Sequence, residues 1–428
     1  MVAPMQAYPS HIILFDATLF VNAYETQLFR TGLYRVSEQL LLQLLEQYPS
    51  EQIYLYDTQQ RNRLLRQAVL PAYAGVRLLD TDSPMYVRLT DKALQQADYC
   101  REREHAAKQT GRAKGWKLLK NILRIYGKIC SRLLPPKPVM LPAPAACLRY
   151  IATYYPIPQW VHLQGIQATL ILHDLIPLIH PEWFPNEANQ HTLQAIIHSP
   201  TNQDRVVCVS QSTMNDFLTY RPDFPTTQIA VAHLACFNHT KVVPSSEPPF
   251  DGLPFLLSVC TIEPRKNLST VLKAYQSLLQ QYGEKTPLLV LVGAMGWKTD
   301  SLMQTIRELQ QQYPNKIIIT GYVDDDTLIR FYTHAALFLY PSLYEGFGLP
   351  PLEAMACGCP VITSNVSSLP EVVGNAGWKV APTDEQAIVK AIEQVLQADR
   401  DQLCARSLAQ AQQFSWKKFA DKIIESFA

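Results

Sequence analysis

What most constrains this chain is an alternation that runs cleanly through its second half. "PFLLSVCT", "PLLVLVGA", "KIIITGYV" and "ALFLYPS" are short apolar runs rich in β-branched and aromatic residues. Between them "NLSTVLKAYQSLLQQY", "SLMQTIRELQQQY" and "DDTLIRFYTHA" repeat their apolar residues at helical spacing. Buried strands separated by amphipathic helices predict a parallel sheet covered on both faces, a doubly wound α/β domain. Upstream the same alternation is looser. "HIILFDATLF", "QIYLYD", "WVHLQG", "ATLILHDLIP" and "DRVVCVSQ" read as strands or strand ends, and "YRVSEQLLLQLLEQY" as a helix. Between the halves, "KVVPSSEPPFDGLP" (241–254) is rich in Pro, Ser and acids and has the composition of a linker. The expected architecture is two Rossmann-like domains, 1–240 and 255–413, facing a cleft, with a last helix over 414–428 that packs back toward the first domain.

Function is concentrated in "SLYEGFGLPPLEAMACGCPVIT" (342–363). It reads as strand, glycine loop, short helix, strand. In such a unit the loop at the carboxyl end of the strand opens onto the ligand crevice, and Gly346 and Gly348 allow close approach of the backbone. Glu345 falls in the loop and Glu353 in what is expected to be the first helical turn. A first-turn Glu is also favoured by the helix dipole without any ligand, but an acid before Gly-Phe-Gly has no packing role. In "TIEPRKN", Arg265 and Lys266 follow a strand and can grip a phosphate or diphosphate, as a bidentate fork and a point charge; the plainer reading is a solvated turn. "VGAMGW", with Gly293 and Gly296, and "GYVDDD" follow the next two strands.

Composition removes several classes. With 428 residues and 47% hydrophobic content the chain suits two globular domains. No segment predicts a transmembrane helix, and the first residues lack a basic n-region and a cleavage site, so a cytoplasmic protein is expected. Nine cysteines lie without zinc-type pairing, and Cys357 and Cys359 flank Gly358 as core thiols. Asp80-Thr81-Asp82 and Asp324-Asp325-Asp326 resemble metal-holding pairs, but the second precedes a helix that acids would cap and the first leads into a Ser-Pro turn. No metal and no cofactor is expected.

"TIEPRKN", "GYVDDDTLIRFYTHA" and "YPSLYEGFGLPPLEAMACGCPVITSNVSSLPEVVGNAG" together resemble the donor domain of family 4 glycosyltransferases, retaining enzymes of the GT-B fold. "FRTGLYRVSEQLL", "LILHDLIPLIHPEWF" and "VVCVSQSTMNDF" resemble elements of that family's first domain, and "FSWKKFADKII" its last helix. The resemblance implies that Arg265 and Lys266 hold the donor diphosphate and that Glu345 touches the transferred sugar. It implies further that Phe347, Gly348 and Leu349 approach sugar and phosphate through their backbone, and that Glu353 binds the ribose. Tyr322 and Val323 would lie near the base, Gly293 beside the donor, and Gly32 near its phosphates. His173 and Asp174 would face the reacting carbon. This chain departs from the pattern at Cys260, where the family often has Gly, and by having only Gly32 in the first-helix loop.

The implied activity is transfer of a hexose, mannose from GDP-mannose as first choice, to a glycan or lipid-linked oligosaccharide in bacterial surface polysaccharide assembly, without a metal. A nucleotide-sugar epimerase of similar architecture and a non-catalytic partner subunit are the alternatives. Between 101 and 138, eleven basic residues face two acids, in a chain of net charge +1. From Trp116 onward apolar residues take one helical face, and Lys120, Arg124, Lys128 and Arg132 recur every four residues. That pattern suits either a membrane-surface helix at the inner face of the cytoplasmic membrane or a core helix with a basic outer face. Nothing in the stretch resembles a nucleic-acid-binding motif.

Overall fold

The computed structural model describes residues 11–26, 32–58, 64–79, 119, 121–122, 139–185, 187–236 and 247–427. Packing divides the chain into two units, Met1–Gln167 and Ala168–Ala428. Two parallel sheets form, of seven and six strands. This is the doubly wound α/β architecture expected.

In the first unit, β1 (Ile12–Asp16), β2 (Ile53–Tyr56), β3 (Arg77–Leu78) and β4 (Leu148–Ala152) lie in the order β3-β2-β1-β4. Two readings need correction here. "HIILFDATLF" is not one strand: β1 stops at Asp16, whose Oδ1 accepts from the backbone N–H (3.0 Å) and hydroxyl (2.5 Å) of Thr18 and starts the helix Thr18–Thr26. Such a side-chain bond to the residue two ahead is a helix-start device that hydrophobicity does not reveal. "WVHLQG" is not a strand either. Pro158 precedes a short helix, Gln159–Leu163, and Trp160 Nε1 donates to the Tyr56 hydroxyl at 3.1 Å. The strand of this region is "LRYIA", β4. Gly32 is the first residue of the helix Gly32–Gln47.

The second unit carries β5 (Gln167–Leu172), β6 (Arg205–Cys208) and β7 (Ile229–Val231), paired in parallel in that order. It also carries the six-stranded sheet: β8 (Phe255–Val259), β9 (Leu288–Val292), β10 (Ile317–Gly321), β11 (Leu337–Tyr340), β12 (Val361–Ser364) and β13 (Trp378–Val380), ordered β10-β9-β8-β11-β12-β13. The order reverses between β8 and β11, and in a sheet of this kind ligands bind outside the carboxyl ends of the strands at such a switch point. Every residue of β9, β11 and β12 is buried, as continuous apolar runs between two helical layers require. The last helix, Trp416–Glu425, is tied within this unit by Trp416 Nε1 donating to the Cys236 carbonyl at 2.9 Å, while the Ser426 hydroxyl bonds that of Thr169.

Two helix starts matter for the site. Asp324 caps the helix Asp325–His334, its Oδ1 accepting from Thr327 N–H at 2.7 Å. The helix after Gly346 begins earlier than expected, at Leu349, because Gly348 takes a left-handed backbone (φ 117°) and launches it one residue before the two prolines. Glu353 is therefore the fifth helical residue, buried in the second turn and out of reach of the dipole explanation. The helix ends as predicted before Gly358, which has φ +77°.

Candidate functional site

The carboxyl end of β8 leads into Glu263 and a single turn, Pro264–Lys266, which closes on Asn267 in the left-handed region (φ 57°). Asn267 holds that backbone by donating through Nδ2 to the carbonyls of Pro341 (3.0 Å) and Pro382 (2.6 Å). The turn is thereby stitched to the end of β11, and the Arg265 carbonyl accepts from Leu343 N–H at 2.9 Å. This stitching brings Arg265 and Lys266 onto Glu345, some eighty residues later.

The resulting cluster is compact and nearly dry. Arg265 Nη1 donates to Glu345 Oε2 at 2.5 Å and to the Tyr344 carbonyl at 3.0 Å. Lys266 Nζ donates to Glu345 Oε1 and to the Tyr340 hydroxyl, each at 2.6 Å. Glu263 Oε1 accepts from Arg265 Nη2 at 2.7 Å and from Nε at 3.1 Å. Burial alone would raise the Glu345 carboxyl, but Arg265 and Lys266 outweigh it and hold the group down at about 2. Burial likewise opposes the Arg265 charge, and the Glu345 and Glu263 carboxylates reverse the effect, raising the guanidinium above its ordinary value. Tyr340 is pushed far up by burial and by Glu345, so its hydroxyl stays neutral.

The loop carrying Glu345 is pinned from both sides. Ser368 Oγ donates to the carbonyls of Glu345 (2.9 Å) and Phe347 (2.7 Å), and Glu345 N–H donates to Ser367 Oγ at 3.0 Å. Ser210, which caps the helix Gln211–Tyr220, donates through Oγ to the Gly346 carbonyl at 2.7 Å, and Thr213 Oγ1 donates to the carbonyls of Gly346 and His173. Gly346 lies so close to the end of β5 that a Cβ there would meet the His173 carbonyl oxygen at 2.3 Å and Asp174 Cβ at 2.7 Å. His173 is buried. Asp174 keeps part of its surface exposed, but its carboxyl is enclosed; that enclosure raises it above the ordinary range against the pull of Arg265.

The structure thus gathers Arg265, Lys266, Glu345, Gly346, His173 and Asp174 in one region of the second unit. Of the other residues singled out, Phe347 is buried, its ring 5.9 Å from that of His233, and Gly348 and Leu349 open the following helix. Glu353 accepts from the Tyr332 hydroxyl at 3.1 Å. Gly293 packs onto the Cys260 carbonyl oxygen, which a Cβ would meet at 2.0 Å. Tyr322 is exposed and Val323 follows it after β10. Gly32 belongs to the first unit. Trp116, Lys120, Arg124, Lys128 and Arg132 lie outside the described residues, as do Asp80 to Asp82. Among the described residues no group of three or more His, Cys, Asp or Glu is placed to hold a metal ion.

Residues not singled out from sequence also shape the site. Glu263 had a signal, an acid two residues before Arg265 at a strand end. Tyr340, Ser210, Thr213, Ser368 and Glu371 had none, since each acts on a partner distant in sequence. Glu371 accepts from the backbone N–H groups of Gln211 (2.8 Å) and Ser212 (2.9 Å) and from His233 Nε2 (3.1 Å).

Glu345 ties the site to stability. Its folded value lies below the unfolded one, so it contributes stability that is full above about pH 4.5 and is lost as pH falls toward 2. The shift corresponds to roughly 3 kcal/mol. Glu345→Gln is therefore expected to unfold at lower urea than wild type at pH 7, with the gap unchanged down to about pH 4.5 and shrinking below it toward pH 2; a gap that stays the same at pH 3 would contradict the assignment.

A cation pair, a buried carboxylate and a glycine loop meet at the switch point of a doubly wound sheet, and comparison with known proteins gives the family. Residues 243–414 match the family model described as glycosyl transferases group 1. The chain is 37% identical over 274 residues to O-antigen chain mannosyltransferase B of Escherichia coli, covering 61% of this chain and 70% of that protein. It is 32% identical over 268 residues to the serotype-specific mannosyltransferase WbdA of Escherichia coli, where it spans 60% of itself and 33% of the relative. In structure it is similar to WaaG, a glycosyltransferase involved in lipopolysaccharide biosynthesis (TM-score 0.60, 13% identity, 97% and 99% of the two chains), and to Anabaena HepE in complex with UDP (0.57, 15%, 97% and 98%). The chain belongs to the glycosyl transferases group 1 family. It is a glycosyltransferase of the GT-B fold.

Proposed function

We propose that the protein transfers mannose from GDP-mannose to a growing surface glycan, with retention of anomeric configuration and without a metal. The convergence of Arg265 and Lys266 on Glu345, in a chain 37% identical to an O-antigen chain mannosyltransferase, carries this reading. The two cations take the donor diphosphate and stabilise the charge that grows on the leaving nucleotide, a task a metal performs in other transferases. Glu345, kept ionised, accepts from hydroxyls of the transferred sugar. Phe347, Gly348 and Leu349 meet sugar and phosphate along the backbone, Glu353 the ribose, and Tyr322 and Val323 the base. His173 and Asp174 face the reacting carbon, and Gly32 and Gly293 make room for the donor. The 1–240 region takes the acceptor. A lipid-linked acceptor would bring the enzyme to an anionic membrane surface through the basic stretch 101–138; among the described residues no helix is long and apolar enough to cross a membrane.

The test is thermal unfolding against GDP-mannose, dTDP-rhamnose, UDP-glucose, UDP-GlcNAc and the free nucleotides with EDTA present, followed by transfer to a mannose-terminated glycan and NMR of the new linkage. The expected result is stabilisation by the guanine pair despite EDTA and an axial product. Stabilisation by another base family would correct the donor. An inverted linkage or a strict need for metal would defeat the mechanism, and a changed nucleotide sugar formed without acceptor would identify an epimerase.

A further inference from the structure

The four charges of the cluster cancel. Arg265 and Lys266 face Glu345 and Glu263, and the side chains are 17%, 10%, 9% and 5% exposed. Both oxygens of Glu345 are already engaged by the two cations that a diphosphate would need. Negative phosphate oxygens entering this site meet no surplus of positive charge. They must take the place of a carboxylate, and of the two only Glu345 is shared by both cations; Glu263 touches Arg265 alone among them. A buried carboxylate stripped of its cationic partners is strongly disfavoured unless other donors satisfy it.

We propose that Glu345 is a built-in competitor of the diphosphate, and that this competition makes the site select a sugar-bearing nucleotide over a bare nucleoside diphosphate. The inference rests on the donor-site reading above. A nucleotide sugar brings the hydroxyls that satisfy the displaced carboxylate, so the exchange of partners is complete: phosphate oxygens to Arg265 and Lys266, sugar hydroxyls to Glu345. A bare diphosphate takes the cations and leaves Glu345 with nothing in return. The product of transfer is such a diphosphate, so the same exchange run backwards expels it. Simple charge attraction makes the opposite demand, because the bare diphosphate carries more negative charge than the nucleotide sugar.

Titration calorimetry of wild type and Glu345→Gln with GDP, UDP, dTDP, inorganic pyrophosphate and the matching nucleotide sugars decides it. Wild type is expected to bind the nucleotide sugar at least tenfold more tightly than its parent diphosphate. Glu345→Gln is expected to bind that diphosphate and pyrophosphate at least tenfold more tightly than wild type does, with the preference for the sugar-bearing form erased. The wild-type comparison needs no variant, and urea unfolding checks that Glu345→Gln is folded. If wild type binds a nucleotide but the variant binds diphosphates no better, or if wild type prefers the bare diphosphate, competition by Glu345 is overturned while the donor site stands. If neither protein binds any of these probes, the donor site falls as well.

Discussion

Lys266→Ala is expected to lower kcat/KM for transfer by about a thousandfold, the scale seen when a preorganised charge at a transition state is removed. The Lys266 ammonium is buried against the Tyr340 ring, 5.0 Å from its centroid, and reaches only oxygen acceptors at the site's centre. Its removal leaves Arg265 alone to neutralise Glu345 before the donor binds, and a single cation in place of two for the leaving diphosphate. The fold should survive, since Glu345 keeps Arg265, and the stability loss is expected to be about 2 kcal/mol. Lys266→Arg should not rescue: the longer planar fork cannot fit where a point charge sits between a phenol and a carboxylate. A steady-state assay beside a urea curve checks both halves. Turnover within threefold of wild type in a folded Lys266→Ala would remove Lys266 from the mechanism.

Gly346→Ala should be nearly as damaging, for a reason of space alone. A single methyl would have to displace the His173 backbone, because the obstacle at 2.3 Å is a carbonyl oxygen of a strand end and no flexible side chain can swing away. The loop cannot retreat either, since Ser210 and Thr213 hold the Gly346 carbonyl and Ser368 the carbonyls on both sides of it. Overpacking of this kind costs about 1–3 kcal/mol. A displacement near 1 Å at Glu345 lowers activity by about a hundredfold. The expected outcome is a lowered melting temperature together with that loss of turnover. Unchanged values for both would show the contact to be looser than described.

The elements of the second half were legible because the strands β9, β11 and β12 are buried along their whole length and helices such as Leu268–Tyr282 bury one face, so hydrophobic period and element coincide. The first half was harder to read for local reasons. At "HIILFDATLF" a side-chain bond from Asp16 ends a strand within an apolar run, and at "WVHLQG" a Pro-led turn makes a helix of a segment with strand-like composition. At the site, Arg265 and Lys266 could be singled out as adjacent cations just after a strand, and Glu345 as an acid before Gly-Phe-Gly at a strand end. Glu353 reads from sequence as a first-turn residue, whereas Gly348 moves the helix start and places the carboxylate a turn deeper. Tyr340 looks like any strand aromatic until Lys266 is folded onto it, and Ser368 and Glu371 work on backbone groups more than twenty and more than one hundred and fifty residues away. No periodicity reports on such partners.

Two helix ends lie along this loop, and neither is an open cradle of amides. The first three residues of Gln211–Tyr220 already donate to Glu371 and Ser210. In Leu349–Ala356, two of the first three residues are proline, so Leu349 alone among them carries an amide hydrogen. Where a phosphate-binding helix distributes its hold over several main-chain donors that no substitution can delete, the donor site proposed above would rest mainly on two side chains. Anion recognition of that kind would be exposed to mutation, and equally open to retuning: one codon at 265 or 266 would reset what the backbone elsewhere fixes.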